Sequence, residues 1–154
     1  MVFMMGLSES GILLVEDDSN DILFIQRAFR QTKFENSMQV VRDGDEAVAY
    51  LSGEGKYANR SLYPLPGMIL LDLKLPRRSG LEVLEWLRIQ PVLKRIPVVI
   101  LTSSKENTDV NKAYDIGVNS YLLKPVNYNA LNEMIETLNA FWLRLNCYPS
   151  IVST

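Results

Sequence analysis

A chain of 154 residues, 47% apolar and with a formal net charge of -2, can bury one well-packed core but not two. Acids and bases are interspersed along it, which excludes the concentrated basic face of a nucleic-acid binder. There is no histidine and only one cysteine, Cys147, which excludes Ser-His-Asp and Cys-His nucleophiles, imidazole metal sites and an internal disulfide.

Short apolar runs alternate with segments of helical period. "GILLVED" from Gly11 reads as a buried strand, followed by a helix over Ser19 to Gln31 with Ile22, Ile25 and Phe29 on one face. "MQVVRD" is a second strand, and "DGDEAVAYL" a helix that starts at an Asp/Gly turn. "MILLDL" is the third strand, followed by a helix from Ser79 to Gln90 that Pro91 stops. The β-branched "IPVVILTSS" is the fourth, before a helix from Glu106 to Ile116 that ends at Gly117. "NSYLLKP" is the fifth, and a last helix spans Asn129 to Arg144. Strands apolar on both faces and alternating with helices predict an α/β fold: a doubly wound, five-stranded parallel sheet of flavodoxin-like order 2-1-3-4-5, with helices on both faces.

Residues 11–146 form the expected domain, flanked by a tail over 1–10 and another over 147–154. The opening "MVFMMGLSES" lacks the charged start of a secretory signal, and no apolar run approaches the roughly 20 residues that span a bilayer. The expected location is the cytoplasm, with neither membrane nor nucleic acid as partner. One connection is long: Gly53 to Gly67, "GEGKYANRSLYPLPG", against the usual length of about 4–6 residues. It reads either as a tolerated surface insertion or as a contact loop.

In an open α/β sheet, ligands bind beyond the carboxyl ends of the strands. Those ends carry Glu16, Asp17 and Asp18 on the first strand, Asp72 on the third, Thr102 and Ser103 on the fourth and Lys124 on the fifth. Each has a bland use alone, Asp18 as a helix cap for example, but together they place every polar interruption of an apolar run on one edge. Glu16, Asp17 and Asp72 would repel one another unless a cation joined them. Mg²⁺ suits such a site, since it binds through one or two carboxylates and accepts phosphate oxygens. Asp72 then has the position of a nucleophile toward a phosphoryl group, with Lys124 as a point charge and Thr102 as a hydroxyl donor to its oxygens.

"LVEDD", "ILLDLKLPRRSG", "IPVVILTSS" and "SYLLKP", in this order and at these separations, resemble the receiver domain of two-component response regulators over roughly Gly11 to Leu143. The resemblance implies that Asp72 accepts phosphate from a histidine kinase, and that Glu16, Asp17 and Asp72 form the acidic pocket. Mg²⁺ would be held by Asp17, Asp72 and the backbone carbonyl of Lys74. It implies that Thr102 and Tyr121 are a coupled switch, the hydroxyl turning toward the phosphoryl group as the ring moves inward. It also implies a cis Lys124–Pro125 bond, and a turn after the acceptor strand marked by Pro76 and Gly80. The protein would be a phosphoacceptor switch rather than an enzyme with turnover. With about ten residues after Arg144, it would signal through protein contacts and not through a DNA-binding module.

The prolyl insertion and the C-terminal "FWLRLNCYPS" are similar to small response regulators paired with bacterial and cyanobacterial phytochromes. That likeness implies a light-regulated kinase and a homodimer formed through the fourth helix, fifth strand and fifth helix. On the last helix Leu131, Met134, Ile135, Leu138, Trp142 and Leu145 form a core stripe, leaving Phe141 and Leu143 as the expected subunit contacts. Three alternatives are weaker. A haloacid dehalogenase-type phosphatase needs an acid where Lys74 stands, a nucleotide binder needs a glycine-rich cradle where three acids stand, and a phosphorylation-independent pseudo-receiver has no reason to carry a complete site.

Overall fold

The computed structural model describes residues 11–32 and 37–151; the tail expected over 1–10 lies outside them. Five strands, β1 (Ile12–Val15), β2 (Met38–Val41), β3 (Met68–Leu71), β4 (Val98–Thr102) and β5 (Ser120–Leu123), form one parallel sheet in the order β2-β1-β3-β4-β5. The expected order therefore holds. Five α-helices follow the strands in turn: α1 (Ser19–Gln31), α2 (Gly44–Ser52), α3 (Gly80–Arg88), α4 (Asn107–Ile116) and α5 (Tyr128–Asn139).

Strand alternation divides the core in two. Leu13, Val15, Ile69, Leu71, Val98 and Ile100 pack beneath α2, α3 and α4, while Ile12, Leu14, Met68, Leu70, Val99 and Leu101 pack beneath α1 and α5. With both sheet faces covered, the carboxyl edge is left as the place where polar side chains gather. Helix starts are set by side-chain caps: Asp18 accepts from Asp21 N–H, Asp43 from Glu46 N–H and Asn127 from Ala130 N–H, and Ser79 forms a capping box with Glu82.

Four expectations need correction. The last helix does not run regularly to Arg144: α5 ends at Asn139 and a π-helical segment spans Ala140–Leu145, closed by Asn146 N–H donating to Phe141 C=O at 2.8 Å. The wider turn brings residues five apart onto one side, so Leu143 lies over the same core as Leu138 and is only 2% exposed. Leu143 is thus a core residue and not a surface contact. Leu145, expected in the core, is 72% exposed, and Phe141 remains half-exposed. Finally, the Lys124–Pro125 bond is trans, as is every peptide bond among the described residues; the two X-Pro isomers differ by only about 0.5–1 kcal/mol, so the surrounding chain selects between them.

The long connection is tied down. Arg60 donates to the carbonyls of Tyr50 (2.7 Å), Leu51 (2.9 Å) and Tyr63 (3.3 Å), capping the end of α2, and Tyr50, Tyr57 and Tyr63 pack ring against ring. Past the π-helical segment, Tyr148 packs against the α1/α5 core, where its hydroxyl donates to Trp142 C=O, and Ile151 against the opposite one.

Candidate functional site

The first residue beyond β1, Glu16, is only 1% exposed. One of its carboxylate oxygens accepts from the N–H groups of Asp17 and Asp18, while Oε1 lies 2.6 Å from Lys124 Nζ. Asp17, next in the chain, is exposed at the rim. Asp72, beyond β3, is 7% exposed; its Oδ1 accepts from Leu73 N–H at 2.7 Å and its Oδ2 lies 3.1 Å from Lys124 Nζ. One oxygen each of Glu16, Asp17 and Asp72 falls within a mutual 4.8 Å. Burial pushes the Glu16 carboxyl above its ordinary range, aided by the charge of Asp72 and opposed by the hydrogen bond from Lys124. For Lys124 burial acts downward, but hydrogen bonds to Asp21 and Glu16 and the charge of Asp72 outweigh it and hold the ammonium above its ordinary value.

The turn after β3 depends on glycine. A Cβ on Gly80 would sit 2.1 Å from the Asp72 carbonyl oxygen and 2.7 Å from Leu73 Cα, while Gly80 N–H donates to Leu73 C=O. Only glycine lets the start of α3 pass so close to the backbone carrying Asp72. Gly44 is equally confined, its N–H donating to Pro76 C=O and an added Cβ landing 1.9 Å from Arg78 C=O. The Lys74 side chain is exposed.

Thr102 is buried at the end of β4, its hydroxyl oxygen 3.4 Å from Ser104 N–H. Tyr121 is partly buried against the core beneath α2, α3 and α4, and its hydroxyl donates to Ser104 C=O at 3.0 Å. Glu16, Asp17, Asp72 and Lys124 are therefore joined in one cluster, while Thr102 and Tyr121 meet through the adjoining β4–α4 turn. One member was not foreseen: Asp21 Oδ2 lies 2.8 Å from Lys124 Nζ. Its signal was its place three residues after the cap Asp18, because side chains in a first helical turn lean back toward the N-terminus and so toward this edge. One ammonium among Glu16, Asp17, Asp21 and Asp72 leaves negative charge in excess, and an oxygen-lined divalent cation site fits that donor set.

A doubly wound parallel sheet that gathers acids, a hydroxyl and a lysine at its carboxyl edge defines the class of α/β switch fold. The response regulator receiver domain pattern matches residues 12–136, and the chain belongs to that family. It is 40% identical over 139 residues to the response regulator Rcp1 of Synechocystis sp., covering 90% of this chain and 92% of Rcp1. A probable methanogenesis regulatory protein, FilR2 of Methanothrix harundinacea, is also 40% identical, over 90% of this chain and 86% of its own. Among solved structures, the phosphorylated cyanobacterial phytochrome response regulator RcpA superposes with a TM-score of 0.86 at 42% identity, covering 92% of this chain and 99% of that one. The Mn²⁺-bound form of Rcp1 gives 0.84 at 40% identity, with the same coverage. No helix among the described residues is long and apolar enough to cross a membrane.

Proposed function

We propose that this receiver domain is a phosphoacceptor switch in which Asp72 takes a phosphoryl group from the phosphohistidine of a histidine kinase. The observation that carries the reading is the cluster itself: Lys124 Nζ lies within 3.1 Å of both Asp72 and Glu16, beside a carboxylate triad of the size a divalent ion takes. An Asp72 oxygen attacks phosphorus, the P–N bond to the imidazole breaks, and the imidazole leaves as a neutral ring after taking up a proton. Lys124, already at the Asp72 oxygen, is placed to follow charge onto the phosphoryl group. Thr102 supplies a hydroxyl at the neighbouring strand end, and Tyr121 reports the change. Asp17, Asp72 and the Lys74 carbonyl would hold Mg²⁺ with Glu16 behind them; when bound, the ion neutralises charge on the incoming phosphoryl oxygens.

The kinship to phytochrome response regulators supports a light-regulated kinase as donor in a cytoplasmic pathway. The functional unit is residues 11–146, followed by the short tail 147–154. Exposed Tyr114 on α4, Leu123 on β5, and Phe141 and Leu145 after α5 support a homodimer through the α4-β5-α5 face, with phosphorylation read out by a protein target. The test is intact mass after incubation with acetyl phosphate and Mg²⁺. One base-labile phosphoryl adduct is expected, absent from Asp72→Asn and from wild type with chelator. An unmodified wild type would refute the reading and leave a phosphorylation-independent module.

A further inference from the structure

Four contacts converge on Ser104, the buried residue of the β4–α4 turn. Its N–H approaches Thr102 Oγ1 at 3.4 Å, its C=O accepts from Tyr121 at 3.0 Å, its Oγ donates to Asp109 Oδ2 at 2.6 Å, and the same Oγ lies 3.4 Å from Glu106 N–H. The shortest of these reaches into α4, and α4 differs from the other α-helices. Its N-cap residue, Glu106, makes no side-chain cap bond, whereas the caps of α1, α2, α3 and α5 all do. Ala113 is its one buried residue, so little packing fixes its first turn. What ties that turn to the sheet is the bond from Ser104 to Asp109, a charge-assisted contact of the stronger kind.

We propose that Asp109 is a positioning residue: by accepting from Ser104 Oγ it holds the β4–α4 turn where the Ser104 carbonyl receives the Tyr121 hydroxyl, pre-setting the inward ring before phosphorylation. This rests on the phosphoacceptor reading of Asp72 and adds a residue outside the acid cluster that sets how readily the site is occupied. If the bond is lost, the turn has alternative arrangements in which the Ser104 carbonyl is displaced from Tyr121. A phosphoryl group must then pay to restore the order, so its apparent affinity falls by the fraction of molecules already arranged.

The test compares wild type, Ser104→Ala, Asp109→Ala, Asp109→Asn and the Ser104→Ala/Asp109→Ala double variant. The readouts are affinity for fluoroberyllate, a phosphoryl mimic, with Mg²⁺ present, and the urea unfolding midpoint. Each alanine variant should bind at least about fivefold more weakly, and the double variant no more weakly than Ser104→Ala, because that variant already removes the bond to Asp109. Asp109→Asn, which keeps an acceptor oxygen, should recover most of the affinity. Losses that multiply in the double variant, or a lowered midpoint with unchanged affinity, would overturn the proposal and make the bond a structural brace. Wild type that binds no fluoroberyllate would overturn the reading of Asp72 and the role of Asp109 with it, whereas normal wild-type binding matched by every variant would overturn Asp109 alone.

Discussion

Replacing Lys124 with methionine tests whether the pocket is held together by charge. The Lys124 ammonium lies 2.6 Å from Glu16, 3.1 Å from Asp72 and 2.8 Å from Asp21. At an effective dielectric constant of about 20, each contact has a gross attraction of roughly 5–6 kcal/mol, most of it offset by removing the groups from water. What the substitution exposes is the net penalty of leaving buried carboxylates unpaired, about 3–5 kcal/mol for one broken buried pair. Asp21, with a side chain 37% exposed, adds less than about 1 kcal/mol after solvent screening. Urea unfolding in chelator should therefore show Lys124→Met less stable by about 3–4 kcal/mol.

Repeated with excess Mg²⁺, the deficit should shrink by about half, because a divalent ion offsets the same two carboxylates. Through linkage this corresponds to divalent binding roughly ten- to thirtyfold tighter in the variant than in wild type. The variant should still lose phosphoryl uptake, since a methionine cannot follow charge onto the phosphoryl oxygens. An equal deficit in chelator and in Mg²⁺ would refute the reasoning, for it would mean that Lys124 stabilises by packing its alkyl stem and not by neutralising acids.

Two further substitutions address the scaffold. Gly80→Ala should lower stability by about 1–3 kcal/mol and slow phosphoryl uptake, because the new methyl group meets Asp72 C=O at 2.1 Å and displaces the backbone of Asp72, the proposed acceptor; a wild-type unfolding midpoint would count against that close approach. Leu143→Ala should cost about 2–5 kcal/mol and Leu145→Ala less than about 0.5 kcal/mol, measured by the same unfolding. The reverse order would restore a regular helix through Arg144 and put Leu145 back in the core.

The parts of this molecule that could be read from sequence are those where burial leaves a residue one explanation. Asp72 interrupts an apolar run, and Glu16 and Thr102 end such runs. A polar side chain there must be answered by another across the sheet edge, so the strand ends named the cluster before the fold was known. The cap Asp18 was legible for a similar reason, since a helix start leaves donors that a nearby side chain has to meet.

What was not legible depends on degrees of freedom that periodicity does not record. A stripe of apolar residues at helical spacing assumes 3.6 residues per turn. The π-helical turn at Ala140–Leu145, with its hydrogen bond spanning five residues, widens that turn and exchanges Leu143 with Leu145, although no residue type in "AFWLRL" announces it. The Ser104–Asp109 bond joins a strand end to the helix that follows, so it is set by where α4 lies, which the strand pattern leaves open. Arg60 was hidden within a segment that read as an insertion, because its partners are backbone carbonyls and any sequence supplies those. The sheet and its acid cluster are thus fixed by side-chain chemistry, whereas α4, the π-helical turn and the loop before β3 are fixed by backbone placement. These are also the elements that carry the proposed switch, the exposed Phe141 and Leu145, and the tyrosine cluster. The proposed phosphoryl chemistry draws on the strand ends, whereas the surfaces on which it would be read out are set by the helices and loops around them.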